Sequence, residues 1–358
     1  MKKVLVVFTT GFNPYGGLTS VMMNYWRAMD KTGLQFDFAC TNDPKIELLN
    51  EIESAGCHYI KLPPRKKVFS YSNALRKIAA QYDIAHVHGN SSTSYLELHA
   101  LSKIPKRIVH NHNSITEHPF INAILHPIFL RSYTNAIACS ALAGDWLFGK
   151  GNFKILKNAI NVDRYSFNEE KRALVRKEFG FSEDEIVIGN VGKLLKQKNH
   201  AFILNTFNEF HKICPNSKLL LVGGGVLEQE LKKTIDELHL TNSVVMAGMR
   251  TDIPDLLQSM DVFLFPSLWE GLPLSVLEAQ ASGLPVFLSD VISSEVVISE
   301  NCTALSLSSG PSAWAKYILE HIDIKHRIQN TFSNKQALTE AGYNITKEAD
   351  KLRKLYIE

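Results

Sequence analysis

Long hydrophobic runs are what this sequence of 358 residues chiefly lacks: no stretch approaches the ~18 continuous apolar residues that cross a bilayer. A membrane-spanning helix is therefore not expected, and contact with a membrane would be superficial. The opening Met1-Lys2-Lys3-Val4-Leu5-Val6-Val7-Phe8 superficially resembles a secretory signal, but no small-residue cleavage site follows at a suitable distance. It reads as a first β-strand, and a cytoplasmic chain is expected. Cysteine is sparse and scattered (Cys40, Cys57, Cys139, Cys214, Cys302), with no Cys-x-x-Cys pair. That excludes a disulfide framework or a thiolate zinc site and fits a reducing compartment. One-sided charge is missing too, since a net charge of +3 is too small to argue for a nucleic-acid partner. Gly-x-Gly-x-x-Gly, the Walker sequence and a Gly-x-Ser-x-Gly elbow around Ser140 are all absent, which argues against a dinucleotide fingerprint, an ATPase and serine hydrolysis. Nor does an aspartate pair stand beside a Ser or Thr to hold magnesium, so a reaction without metal or cofactor is expected.

What is present is ordinary globular composition, 45% hydrophobic and 21% charged, in a chain long enough for two cores. Strand-like runs at 4–8, 36–40, 84–87, 107–110 and 136–139 alternate with helical patterns, such as Leu18, Val21, Met22, Tyr25, Trp26 and Met29 at spacings of three and four. After a polar stretch at 161–171 the rhythm restarts, with strands at 186–189, 219–222, 244–246, 262–265 and 285–288. This predicts an α/β protein with two Rossmann-like parallel-sheet domains, 1–160 and 161–343, facing across a cleft. Residues 344–358 form a charged amphipathic helix expected to pack back on the first domain.

Chemistry-bearing residues cluster where these strands end. Glu270 and Glu278 bracket Gly271-Leu272-Pro273-Leu274-Ser275-Val276-Leu277, just after the apolar run 261–266. Pro273 suits the first turn of a helix and Gly283 its C-terminal cap, so one carboxylate lies in the loop and the other two turns in. The carboxyl end of a strand beside a helix N-terminus is where open α/β sheets bind phosphate-bearing ligands. Carboxylates there accept hydrogen bonds from sugar hydroxyls, so a nucleotide-sugar pocket is indicated. The loop 9–17, ending in Gly16-Gly17, would let a ligand approach the backbone, or is a plain glycine turn. Lys193 and Lys198, after Gly192, either neutralise a diphosphate or belong to a solvated loop. His86, His88, His110 and His112 end two strands at spacing i, i+2. A four-histidine metal cluster is conceivable, but polar groups lining the cleft are preferred. Leu221-Val222-Gly223-Gly224-Gly225 suits close backbone approach without being diagnostic.

Together these residues resemble glycosyltransferase family 4, the group 1 glycosyltransferases of GT-B fold, over nearly the whole chain. The most specific part is Glu270-x7-Glu278 within Phe265-Pro266-Ser267-Leu268-Trp269-Glu270-Gly271-Leu272-Pro273, with Gly248-Met249-Arg250-Thr251-Asp252 leading in. Ala138-Cys139-Ser140, Trp146-Leu147-Phe148-Gly149 and Gln197-Lys198-Asn199-His200 look like bacterial exopolysaccharide and capsule transferases. The resemblance implies a retaining hexosyl- or N-acetylhexosaminyl-transferase that moves sugar from a nucleotide donor, most often a UDP-sugar, to a glycan or lipid-linked acceptor. By resemblance, Glu278 binds the ribose, while Glu270 with the backbone of Gly271, Leu272, Pro273 and Leu274 addresses the donor sugar. Lys193, standing where many relatives have arginine, and Lys198 hold the diphosphate, with Gly192 in their loop. Gly16 and Gly17 match the pair that closes over the phosphates. His112 matches the first-domain histidine near the reacting carbon, with His110 the other possibility, and Arg250 and Thr251 lie where relatives approach the base. A retaining glycosidase would need carboxylates ~5 Å apart, which the spacing of the two glutamates does not predict.

The apolar segment 120–130 has two readings, a core helix or, with Arg65-Lys66-Lys67, a surface for a lipid-linked acceptor at the inner leaflet; the core helix is preferred. A UDP-sugar 2-epimerase of similar fold and a non-catalytic sugar-nucleotide-binding component of a polysaccharide assembly complex are the competing functions.

Overall fold

Alternation of short apolar strands with amphipathic helices produces two parallel sheets. The computed structural model describes residues 1–14, 16–114, 116, 118–322 and 325–358. It divides into unit 1, Met1–Ala159 with Ile345–Glu358, and unit 2, Ile160–Asn344.

In unit 1 the strands are β1 (Lys2–Phe8), β2 (Leu34–Cys40), β3 (His58–Lys61), β4 (Ile84–Gly89), β5 (Lys106–Asn111), β6 (Asn135–Ala138) and β7 (Lys154–Ile155). Their order is β3-β2-β1-β4-β5-β6-β7, every pairing parallel. The helices α1 (Gly17–Ala28), α2 (Ile46–Ser54), α3 (Val68–Ala79), α4 (Tyr95–Ala100), α5 (Pro119–Phe129) and α6 (Ala141–Phe148) connect them. The central strand is buried without a break from Val4 to Phe8, as a strand covered on both faces must be.

Unit 2 repeats the scheme with β8 (Ile186–Val191), β9 (Ser217–Val222), β10 (Val244–Gly248), β11 (Val262–Phe265), β12 (Val286–Ser289) and β13 (Cys302–Leu305), ordered β10-β9-β8-β11-β12-β13. Its helices are α7 (Glu169–Phe179), α8 (His200–Ile213), α9 (Glu228–Glu237), α10 (Ile253–Ser259), α11 (Leu274–Ala281), α12 (Gly310–His321) and α13 (Arg327–Glu340). Separate apolar clusters cover the two faces of this sheet, one around Phe263, Val276 and Leu277, the other around Phe207, Leu264 and Trp314. The amino end of β11 is fixed electrostatically. Asp261 receives Arg176 at 2.5 Å and Arg172 at 2.7 Å, and its Oδ2 also accepts from Val187 N–H at 2.8 Å. Arg327 is likewise buried and donates to the carbonyls of Leu257, Gln258 and Ser282.

The last helix, α14 (Ile345–Ile357), belongs to unit 1. Ile345, Ala349, Leu352 and Tyr356 recur at helical spacing on its buried face. The Tyr356 ring meets Phe36 edge-on, and its hydroxyl shares a 2.5 Å hydrogen bond with His86 Nδ1.

Several sequence expectations need correction. Strands β3, β7 and β13 carry too few residues, too much of them exposed, to show an apolar run. Segment 120–130 is a helix, but not a core helix: Phe129 is its one fully buried residue, while Phe120, Ile121, Ile124 and Ile128 face solvent. Arg65 is not a surface cation. Its guanidinium grips the fully buried Glu97 through two nitrogens, at 2.6 and 3.1 Å, and Tyr71 donates to the same carboxylate at 2.9 Å.

Candidate active site

The strand order of unit 2 reverses between β8 and β11, so the loops leaving their carboxyl ends diverge and leave a crevice. Gly192, Lys193 and Lys198 are on the first of these loops and Glu270 to Pro273 on the second. Lys198 donates to Glu270 Oε1 at 2.6 Å and lies over the Phe265 ring at 4.6 Å. Both side chains are largely buried, with 16% and 11% exposed. The loops are bolted together by Leu268 N–H to Gln197 carbonyl (2.8 Å), Gln197 Nε2 to Trp269 carbonyl (2.8 Å) and Asn199 Nδ2 to Pro266 carbonyl (3.1 Å). Asn199 supplies the left-handed turn, φ 55°, that redirects the chain into α8. A cation and a carboxylate 72 residues apart are thus held as one unit.

Glycine has a steric reason in this crevice. A Cβ on Gly192 would crowd the aliphatic stem of Lys198 at 3.3 Å. Gly223, at φ +145°, would place a Cβ 1.9 Å from the Gly192 carbonyl oxygen. Gly223 and Gly225, whose Cβ would lie 2.4 Å from the Leu194 carbonyl oxygen, are therefore accounted for by their approach to the lysine-bearing loop, whereas Gly224 faces Met249. Lys193, the next residue, is exposed.

Glu278 is the fifth residue of α11, little more than one turn in and not two, because Pro273 is the N-cap and Leu274 opens the helix. Gly283, at φ +73°, follows the C-cap Ser282. Leu272 and Pro273 are buried, while Gly271 and Leu274 are half-buried beside them. Tyr165 donates to Glu278 Oε1 at 2.8 Å. Removal from water raises the Glu278 carboxyl above its ordinary value, and the Tyr165 hydrogen bond and the Arg164 charge oppose that. Sequence reading missed Tyr165, whose only signal is that of an aromatic residue inside the polar stretch 161–171 between the two patterns.

Arg250 is engaged away from the lysine loop. It forks onto Asp252 (2.8 and 2.5 Å) and reaches Glu178 at 2.6 Å, which raises its pKa. Thr251 lines a cavity of about 260 Å³ with Arg164, Lys171, Asp252, Pro254 and Asp255.

In unit 1 the order reverses between β1 and β4. Gly16 caps α1 at φ −97° and Gly17 begins it; a Cβ on Gly17 would meet nothing within 4 Å. Packing among the described residues thus gives no reason for glycine at 17. Tyr15, in the same loop, lies outside the described residues. His86, His88 and His110 are enclosed completely and do not line a surface. His112, one residue beyond β5, is partly exposed, which favours it over His110 for contact with a ligand. Its Nε2 stands 3.0 Å from His88 Nδ1, and Asn158 hydrogen-bonds the ring. Burial lowers His86 and His112 to about 3 and the other two well below the ordinary value, so the four imidazoles are neutral. Nitrogens of His86, His88 and His110 come within 4.8 Å of one another. However, the rings of His86 and His110 are near parallel (10°) at 5.5 Å, a stack whose in-plane lone pairs do not converge on one ion.

Residues 171–341 match the family described as glycosyl transferases group 1, and residues 15–164 match glycosyltransferase family 4. A Bacillus subtilis protein named as a glycosyltransferase, EpsF, is 30% identical over 374 residues, covering 99% of this chain and 96% of that one. An Escherichia coli UDP-Gal:alpha-D-GlcNAc-diphosphoundecaprenol alpha-1,3-galactosyltransferase is 29% identical over 209 residues, 57% of this chain and 54% of its own. Among solved structures, Anabaena HepE in complex with UDP and glucose matches 99% of both chains with TM-score 0.81 at 17% identity, a likeness of fold.

Proposed function

Because the chain belongs to the group 1 glycosyltransferases of family 4, we propose that it is a retaining, metal-independent transferase moving a hexosyl or N-acetylhexosaminyl unit from a UDP-sugar to a glycan or lipid-linked acceptor in exopolysaccharide or capsule assembly. Family membership sets aside the epimerase. The observation that carries the reading is the Lys198–Glu270 pair, at 2.6 Å, locked over the crevice where the unit 2 sheet reverses.

Cleaving a sugar–diphosphate bond leaves negative charge on the departing oxygen, and preorganised cations lower that barrier most. Lys198 is the group placed for it. Glu270 fixes its ammonium and orients sugar hydroxyls, with Lys193 as a second, exposed cation. The bond from the anomeric carbon to the diphosphate breaks as the bond to the acceptor oxygen forms, and the acceptor proton passes to the departing phosphate oxygen. A nucleophilic carboxylate and a separate strong base are then unnecessary. Glu278 receives the ribose hydroxyls, and the backbone from Gly271 to Leu274 borders the sugar. Gly16 and Gly17 serve the phosphates and His112 the reacting sugar. Arg250 and Thr251 are assigned to the base, where Arg250 acts as a braced wall unless its ion pairs open.

The roles of donor and acceptor domain go to unit 2 and unit 1 respectively. The test is thermal stabilisation by UDP-, GDP-, ADP- and TDP-sugars, since a specific ligand raises the transition temperature. Proton NMR of the product's anomeric signal then checks retention. Equal response to every base refutes the UDP assignment, and an inverted product refutes the displacement on the donor's own face.

A further inference from the structure

Helix α5 carries more hydrophobic surface outward than inward. Its inward face is Asn122, Leu125, His126 and Phe129: Asn122 Oδ1 accepts from Ser92 N–H at 2.8 Å, His126 bonds the Leu147 carbonyl at 3.0 Å, and Phe129 is buried. Outward point Phe120, 85% exposed, and Ile124, 76% exposed, flanked by Ile121 and Ile128. A second apolar tip stands beside the same turn. Arg65 Nη2 donates to the Thr93 carbonyl at 2.7 Å, which fixes the entry to α3, where Phe69 is 93% exposed and Val68 half exposed. The turn Ser92–Ser94 is therefore gripped from one side by α5 and from the other by the root of α3.

Exposed cations stand next to these tips, and the one nearby acid in sequence, Glu117, precedes α5. Lys66 and Lys67, immediately before Val68, are exposed, as is Arg131 after α5. From Ser54 to Tyr82, and again from His118 to Gly144, the sequence contains no Asp or Glu. Exposed aromatic and aliphatic tips with cations adjoining both helices, and no acid within either segment, match an interface that is apolar inside and anionic at its rim.

We propose that the α5 and α3 tips of unit 1 dock on an anionic phospholipid bilayer, with Phe69, Phe120 and Ile124 entering the acyl boundary and Lys66 and Lys67 on the headgroups. The identity of this surface stands on its own geometry; its purpose, to meet an acceptor carried on lipid, rests on the transferase reading. No helix among the described residues is long and apolar enough to cross a membrane, so the contact is interfacial.

Sedimentation of the full chain with vesicles tests the proposal, using phosphatidylglycerol mixed with phosphatidylcholine against phosphatidylcholine alone. The wild type should bind the anionic vesicles and release as salt is raised. The double variant Phe120→Asp/Ile124→Asp should lose about 100-fold in partitioning, since each tip contributes roughly tenfold. Lys66→Gln/Lys67→Gln should lose about 25-fold, near fivefold per lysine, and flatten the salt dependence. Absence of binding at low salt, or unchanged binding by the Phe120/Ile124 variant, overturns the proposal. So does light scattering that shows a wild-type dimer broken by that variant in a chain that ignores vesicles, which would make a second copy the occupant. Stabilisation by nucleotide sugars, read on the same samples, separates the two claims. Stabilisation without vesicle binding sinks the docking surface alone, and vesicle binding without stabilisation sinks the transferase reading alone.

Discussion

Replacing Lys198 by Met keeps the aliphatic stem that fills the space over Gly192 and removes only the charge. At 2.6 Å, with an effective dielectric of ~20, the Lys198–Glu270 attraction is about 6 kcal/mol before dehydration. Dehydrating two ions that are mostly buried offsets much of that, so breaking the pair should cost about 2 kcal/mol, below the 3–5 kcal/mol of a fully enclosed pair. For a domain the size of unit 2 this lowers the melting transition by about 4–8 °C. Glu270→Gln added to Lys198→Met should recover most of the loss, because it discharges the carboxylate left behind. Catalysis should behave differently. If the lysine stabilises the leaving diphosphate, kcat falls by about 10²–10³ in Lys198→Met and the second substitution does not restore it. Calorimetry and initial rates on the four proteins of this cycle separate the contributions. Recovery of kcat together with the melting temperature would refute the leaving-group role and reduce the lysine to a structural counter-ion.

Three other perturbations have defined signs. Asp261→Asn withdraws the carboxylate that serves Arg172 and Arg176, both mostly buried, and should cost about 3–5 kcal/mol in urea unfolding; a loss under 1 kcal/mol would show that the carbonyl partners suffice. Glu278 has a raised pKa, so its ionisation opposes folding: stability is full below the ordinary carboxylate range and falls as pH rises to the raised value. Glu278→Gln should therefore melt at or above wild type at pH 7 while binding donor about 10–100-fold more weakly, as loss of a charged hydrogen-bond acceptor requires; undiminished donor affinity in titration calorimetry would remove Glu278 from the site. The buried histidines shift the other way. Their pKa values lie below the unfolded ~6.5, so stability is full above that pH and drains as pH falls toward about 3, at up to ~1.4 kcal/mol per pH unit for each group. His110→Leu should make the pH dependence of unfolding shallower by about that amount between pH 6 and 4.5, and an unchanged slope would show that His110 is not held neutral.

The sheets were legible because their strands, covered on both faces, form unbroken apolar runs, and the glycine and proline around α11 sit within a residue of where their backbone angles place them. The placement of candidate residues at strand ends followed from topology. What stayed hidden is whatever depends on partners distant in sequence. Nothing local says that Lys198 faces Glu270, that Tyr165 bonds Glu278, or that Arg65 is consumed by Glu97 and so is not a surface cation. The histidines were assigned to the right strands but not to the right depth, since spacing i, i+2 gives the face of a strand and not what covers it, and His86 stands within β4 and not at its end. Helix α5 failed for a different reason. With apolar residues on both faces its periodicity cannot distinguish inside from outside, and only Asn122 and His126, polar yet turned inward, mark the orientation.

The placement of α14 bears on how the chain is made. Unit 1 draws its last helix from residues translated after all of unit 2. The ring of Tyr356 and the carbonyls of Tyr356 and Ile357, which receive Lys2 Nζ, are missing from unit 1 while the ribosome is still adding unit 2. Unit 2, continuous in sequence, is free to close first. The earlier-synthesised sheet must wait with the hydrophobic bed for α14 uncovered, and for that interval it is the half of the protein most in need of chaperone protection.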